Sequence, residues 1–156
     1  MMDRIPVTVV IPVRNEQRNL PACLRCLHGF DEIVVVDSGS TDRTRQIALD
    51  HGATMLDFRW DGRFPKKRNW ALRNYRFGNE WVLFLDADEY LSTAFKNELA
   101  RVLPDTPHAG FVLTYHNRFL GRLLRHGDPM RKLALFRVGA GEYERIEEDH
   151  WSNLDM

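Results

Sequence analysis

The chain has 156 residues, of which 44% are hydrophobic and 28% charged, a balance that suits one globular domain around one core of ordinary size. Its 22 basic and 22 acidic side chains cancel, which argues against a general nucleic-acid binder with its basic excess. The sequence has no 18-residue apolar run, and Met1–Pro6 lacks the apolar stretch of a signal peptide, so it predicts a cytoplasmic protein with no transmembrane helix.

The first hundred residues alternate between short apolar runs and amphipathic stretches. Val7–Val13 reads as a strand. A helix is expected over about Asn19–His28, with Pro21 tolerable in its first turn. This helix carries the two cysteines, Cys23 and Cys26. A zinc half-site needs a second pair, and a redox pair needs a thioredoxin-like setting after a strand. Reduced thiols on a helix are therefore expected. Ile33–Val36 is a β-branched run, and a helix is predicted to start at Thr41 or Asp42 and stop at Gly52. Ala53–Phe58 is a weaker strand candidate, followed by a helix over about Lys66–Tyr75. Trp81–Leu85 is another apolar run, and a helix starting at Ser92 ends before Pro104. Runs apolar on both faces, alternating with helices, predict a doubly wound, mostly parallel α/β sheet. After Pro107 the character changes. Gly110–Tyr115 and Leu133–Val138 look like strands, with an irregular, basic, glycine-containing stretch over Arg118–Arg131 between them.

Three polar clusters follow three of the apolar strands. They are Arg14-Asn15-Glu16, Asp37-Ser38-Gly39-Ser40-Thr41-Asp42 and Asp86-Ala87-Asp88-Glu89. Each falls at a strand's carboxyl end, where open α/β sheets bind ligands, so all three can line one crevice. For any single cluster, loop polarity and helix capping are a sufficient account. Asp86 and Asp88 stand two apart. In extended backbone they would point the same way and could hold a hard cation such as Mg²⁺ or Mn²⁺ over a diphosphate. An isolated Asp-x-Asp is common by chance, and for one standing alone solvated acids at a strand–helix turn would be the better account.

Val9-Val10-Ile11-Pro12-Val13-Arg14-Asn15-Glu16, Glu32 to Thr44 and Phe84-Leu85-Asp86-Ala87-Asp88-Glu89 together resemble the family 2 glycosyltransferases of GT-A fold. Lys67-Arg68-Asn69 stands where that family often has a basic residue and Asn. The likeness is good over about 5–100, looser beyond, and nearest the bacterial branch acting on lipopolysaccharide core or other cell-surface polysaccharides. It implies one GT-A domain over 1–156, with a nucleotide-sugar-binding half at 1–105 and an acceptor half at 106–156. It implies a nucleotide-diphosphate donor, usually a UDP-sugar, a Mg²⁺ or Mn²⁺ ion, and transfer with inversion to a saccharide or lipid-linked acceptor. Asp37 would accept a hydrogen bond from the base, helped by the loop at Ser38 and Gly39. Pro12, Arg14, Asn15 and Glu16 would frame base and ribose. Asp86 and Ala87 would lie at the ribose, Asp86 and Asp88 at the metal, and Arg68 at the phosphates.

The resemblance also implies an Asp or Glu base well downstream, for which Glu147, Glu148 and Asp149 are candidates, the last two favoured. Members of that branch are longer, so a truncated chain that binds a nucleotide-sugar without transferring it is the alternative. The six acids and one base between Glu142 and Asp155 read equally well as a solvated face. Six basic residues and one acid between Arg118 and Arg137 suit either a substrate diphosphate or peripheral contact with the anionic inner face of a membrane. The histidines, His116 and His126 included, show no metal-ligand spacing. A nucleotidyltransferase would need a glycine-rich phosphate loop after the first strand, and Arg14-Asn15-Glu16-Gln17 offers none.

Overall fold

The computed structural model describes residues 4–143. Strand β1 spans Ile5–Val13, β2 Phe30–Asp37, β3 Thr54–Asp57 and β4 Trp81–Phe84. Helices α1 (Leu20–Cys26), α2 (Thr44–Asp50) and α3 (Lys67–Asn74) connect them, and α4 (Thr93–Val102) follows β4. Then come β5 (Gly110–Tyr115), the two-residue strands β6 (Arg118–Phe119) and β7 (Arg122–Leu123), and β8 (Met130–Arg137).

Six strands form one sheet in the order β3-β2-β1-β4-β8-β5. The first four run parallel, and β8 lies antiparallel to both β4 and β5. Alternation along each central strand sends side chains to opposite faces. Val7, Val9, Ile11 and Val13 of β1 join Leu83 of β4 and Leu20, Leu24 and Ala48 of α1 and α2 in one core. Val10, Val34, Val82 and Phe84 join Ala71 of α3 in the other. Both faces are therefore covered, and the solid apolar runs follow from that. The expected doubly wound sheet is observed.

The expected elements are present with shifted bounds: β2 starts at Phe30 rather than Ile33, and β8 at Met130 rather than Leu133. Helix α2 begins at Thr44, because Asp42 accepts from the Thr44 amide at 2.9 Å and from the Gln17 amide at 3.2 Å, tying neighbouring loops. The stretch expected to be irregular contains the β6–β7 hairpin. Ser92 caps α4 as expected, its Oγ accepting from the Phe95 amide at 3.1 Å.

Chain order decides where a ligand can enter. From β1 the chain steps outward through β2 to β3, then returns to lay β4 on the other side of β1. Crossovers thus diverge between β1 and β4, and such a switch point opens a crevice at the strands' carboxyl ends.

Candidate active site

The three polar clusters follow the carboxyl ends of β1, β2 and β4, at that end of the sheet. Val13 ends β1 opposite Asp37, which ends β2, and Val10 stands opposite Phe84 just before Asp86. The strands that lead to Asp37 and Asp86, β2 and β4, lie two strand spacings apart, about 10 Å.

Asp37 is buried, at 4% exposure. Its Oδ1 accepts from the Ser40 amide at 3.0 Å and the Ser40 hydroxyl at 2.6 Å, which closes the loop through Ser38 and Gly39. Gly39 adopts φ +84°, a conformation glycine takes without strain. Asp37 Oδ2 makes no hydrogen bond among the described residues, so one acceptor stays open at the crevice.

The loop after β1 is stitched to this one. Asn15 sits at φ 56°, a left-handed position that asparagine tolerates. Its Oδ1 accepts from the Thr41 amide at 2.8 Å, and its own amide donates to Ser40 Oγ at 2.8 Å. The Glu16 amide donates to Thr44 Oγ1 at 2.8 Å, and Glu16 Oε2 accepts from Asn19 Nδ2 at 3.0 Å. Asn15 and Glu16 therefore shape the crevice wall, while Arg14 is exposed and Pro12 half-buried beside it.

The Asp86–Glu89 cluster corrects one expectation. The backbone from Asp86 to Glu89 is not extended: it turns, with the Glu89 amide donating to Asp86 O at 2.9 Å. Glu89 Oε2 accepts from the Asp86 amide at 3.0 Å and closes the turn from the other side. Strand alternation therefore does not align the two aspartates. Ala87 packs into the core, Asp88 projects into solvent, and Asp86 turns toward two cations. Arg68 NH2 donates to Asp86 Oδ1 at 2.6 Å, and Lys132 Nζ to Asp86 Oδ2 at 3.2 Å. Lys132 also donates to Glu89 Oε1 at 2.5 Å. Burial pushes the Glu89 carboxyl above its usual range, against the pull of Lys132.

Among the described residues, no three His, Cys, Asp or Glu side chains converge on one point. The donor left for a divalent cation is Asp88, which is exposed and makes no ion pair among the described residues. A hard cation of the Mg²⁺ type uses one or two carboxylates and completes its shell with phosphate oxygens and water, so this donor set fits one.

Helix α3 supplies three consecutive buried polar side chains. Lys67 donates to Val13 O at 2.9 Å, behind Asp37. Burial, with Arg68 and Arg14 nearby, pushes its pKa down to about 8, while Asp37 and Glu16 pull the other way. Asn69 makes a two-point pair with the Tyr143 backbone, Nδ2 to O at 2.7 Å and N to Oδ1 at 2.8 Å. That pair holds Tyr143 against Phe84 and Arg68. A cleft of about 510 Å³ opens here, lined by Arg68, Phe84, Asp86, Lys132, Phe136 and Tyr143.

Both cysteines are free thiols, as expected. They buttress the turn: Cys23 Sγ lies 3.8 Å from Asp86 O, and Cys26 Sγ accepts from the Leu91 amide at 3.2 Å. Burial raises the Cys23 pKa, which disfavours the thiolate. Lys67, Asn69 and Tyr143 were not assigned roles from sequence. The Lys67-Arg68-Asn69 triplet was visible there, but nothing in the sequence pointed to Tyr143. Glu147, Glu148 and Asp149 lie outside the described residues.

The sheet, its switch point and the acidic turn after β4 define a GT-A glycosyltransferase fold. The model of the glycosyl transferase family 2 matches residues 8–150, and the chain belongs to that family. It is 27% identical to the lipopolysaccharide core biosynthesis glycosyltransferase LpsC of Rhizobium meliloti, over 96% of this chain and 57% of that protein. It is 39% identical to a TPR repeat-containing protein of Synechococcus elongatus, over 66% of this chain and 25% of that one. The chain thus spans about half the length of the first and a quarter of the second. Among solved structures, the mannosyltransferase PcManGT of Pyrobaculum calidifontis, in complex with GDP-Man and Mn²⁺, superposes with a TM-score of 0.51 at 27% identity, over 70% of this chain and 35% of that one. TarS 1–349 of S. aureus shares the fold, with a TM-score of 0.53 at 23% identity, over 85% of this chain and 47% of that one. No helix among the described residues is long and apolar enough to cross a membrane.

Proposed function

We propose that this chain moves a sugar, with inversion, from a nucleoside-diphosphate sugar to a hydroxyl of a cell-envelope saccharide or lipid-linked acceptor. One observation supports the reading: Asp37, the Arg14–Glu16 loop and the Asp86–Glu89 turn all follow the carboxyl ends of strands beside the sheet's switch point. Membership of the family and the likeness to a mannosyltransferase holding GDP-Man and Mn²⁺ support it.

In this proposal Asp37 Oδ2 accepts from the base, for which uracil is the expected partner, while the Ser38–Gly39 turn keeps the carboxylate in place. Pro12, Arg14, Asn15 and Glu16 wall the nucleoside. Asp86 is held by Arg68 and Lys132 before any ligand arrives, so its orientation costs nothing at binding. Asp88 would hold a Mg²⁺ or Mn²⁺ ion, which supplies charge for the diphosphate. Arg68 and Lys132 balance the charge of Asp86 and Glu89, so these carboxylates would not repel it. The bond from the anomeric carbon to the diphosphate oxygen breaks, and its electron pair leaves with the diphosphate. The acceptor oxygen bonds from the opposite face, and its proton passes to a carboxylate, for which Glu148 or Asp149 is proposed.

The test is a thermal-shift screen of UDP-sugars and GDP-sugars with Mn²⁺ present, followed by a transfer assay. A melting-temperature rise that a chelator reverses is expected. Absence of any shift across the panel overturns the reading, and binding without turnover assigns a nucleotide-sugar-binding module instead.

A further inference from the structure

The structure divides the basic segment Arg118–Arg137 into two parts. Lys132 points at Asp86 and Glu89, and Arg137 pairs with Glu80 and lies over the Trp81 ring. Arg118, Arg122, Arg125 and Arg131 are exposed and make no ion pair among the described residues. Three of them sit in or just beyond the β6–β7 hairpin, where they interleave with apolar side chains in the order Arg118-Phe119-Leu120-Gly121-Arg122-Leu123-Leu124-Arg125. All four apolar side chains are exposed, Leu120 at 87%.

The turn makes this arrangement hard to read as an ordinary loop. Leu120 and Gly121 have φ of 47° and 76°, the paired left-handed conformations of a tight two-residue hairpin. Asparagine or glycine is the usual residue at the first of these positions, and a bulky side chain there costs backbone strain. The chain thus places a large apolar side chain, against local preference, in the exposed turn of a hairpin. Strain of this kind is retained where something else uses the side chain.

We propose that the β6–β7 hairpin docks on an anionic lipid bilayer. Phe119, Leu120, Leu123 and Leu124 enter the headgroup boundary, while Arg118, Arg122 and Arg125 pair with lipid phosphates. A bilayer suits the pattern because it takes apolar and cationic groups together, without a complementary shape. The charge balance agrees, since Asp128 is the one acid between Arg118 and Arg137. The topology gives docking a purpose. The hairpin leaves the sheet at the Tyr115–Met130 pair, and Lys132, two residues along β8, already reaches Asp86. The docked edge is therefore the crevice edge, and a lipid-linked acceptor would be presented to the site. The docking surface itself does not depend on the transferase reading.

The test uses the 156-residue chain and sedimentation with vesicles of phosphatidylglycerol in phosphatidylcholine, against phosphatidylcholine alone. Binding to the anionic vesicles, weakened by salt, is expected. Changing Arg118, Arg122 and Arg125 together to Ser should weaken it at least about tenfold. Leu120→Asn separates docking from folding, because Asn suits the left-handed turn. Its melting temperature should hold or rise while vesicle binding falls. Nucleotide-induced thermal shifts should be unchanged in every hairpin variant, so failure here is distinct from failure of the transferase reading. Absent binding, equal binding to both vesicle types, or binding untouched by the variants overturns the proposal. So does a wild-type dimer that the same variants dissociate.

Discussion

Lys132 Nζ lies 3.2 Å from Asp86 Oδ2 and 2.5 Å from Glu89 Oε1, bridging two of the three carboxylates of the turn after β4 from a strand that runs the opposite way. With Arg68 on the other oxygen, Asp86 is fixed between two cations. The acidic turn is therefore held by tertiary ion pairs as well as by its own backbone.

Lys132→Met should leave Glu89 half-buried without its countercharge. A loss of about 1–3 kcal/mol in denaturant unfolding is expected, the scale of a charged hydrogen bond lost in a part-buried site. Adding Glu89→Gln should restore part of it, because the uncompensated charge is then gone. A double-mutant cycle with no coupling would show that the bridge contributes nothing.

Asp88 makes no ion pair among the described residues, and the fold does not need its carboxylate. Asp88→Ala should keep the melting temperature and lower Mn²⁺-dependent nucleotide affinity by at least the roughly tenfold that loss of even an outer-shell contact costs a metal site. Titration calorimetry with and without chelator checks this. Wild-type affinity indifferent to chelator would remove the metal role.

Asp37 has a structural oxygen and an open one, so two substitutions separate the roles. Asp37→Asn keeps an acceptor for Ser40 and should retain the melting temperature, yet weaken nucleotide binding by about 1–3 kcal/mol. Asp37→Ala should lose both. If Asn binds nucleotide as tightly as Asp, the residue is structural alone.

Lys67 has a pKa lowered from 10.5 to about 8 by burial. The unfolded chain then holds more protons than the folded one between those values, so stability should rise with pH across that window. Below it the penalty is present in full. Lys67→Met should flatten the rise and add up to roughly 3 kcal/mol near neutral pH. Val13 O keeps partners in Ser38 N and Ser38 Oγ when the lysine is gone. Urea unfolding over a pH series checks both statements. A mutant profile parallel to wild type would refute the assignment.

Local pattern determined the sheet, the helices and the place of each polar cluster. Two-faced apolar strands can only be buried in a covered parallel sheet, so Val7–Val13 and Trp81–Leu85 announce their surroundings. The strand-end positions of Asp37 and Asp86 follow from the same runs, and the family likeness rests on those residues. Relations between distant segments were decided by the tertiary structure. Lys132 and Asp86 are 46 positions apart, and Asn69 and Tyr143 are 74 apart. No periodicity links such pairs, because they meet only once β8 has chosen β4 as its neighbour. The turn at Ala87–Asp88 likewise depends on Glu89 folding back on the Asp86 amide, and that turn leaves Asp86 facing Arg68 and Lys132 and Asp88 facing solvent.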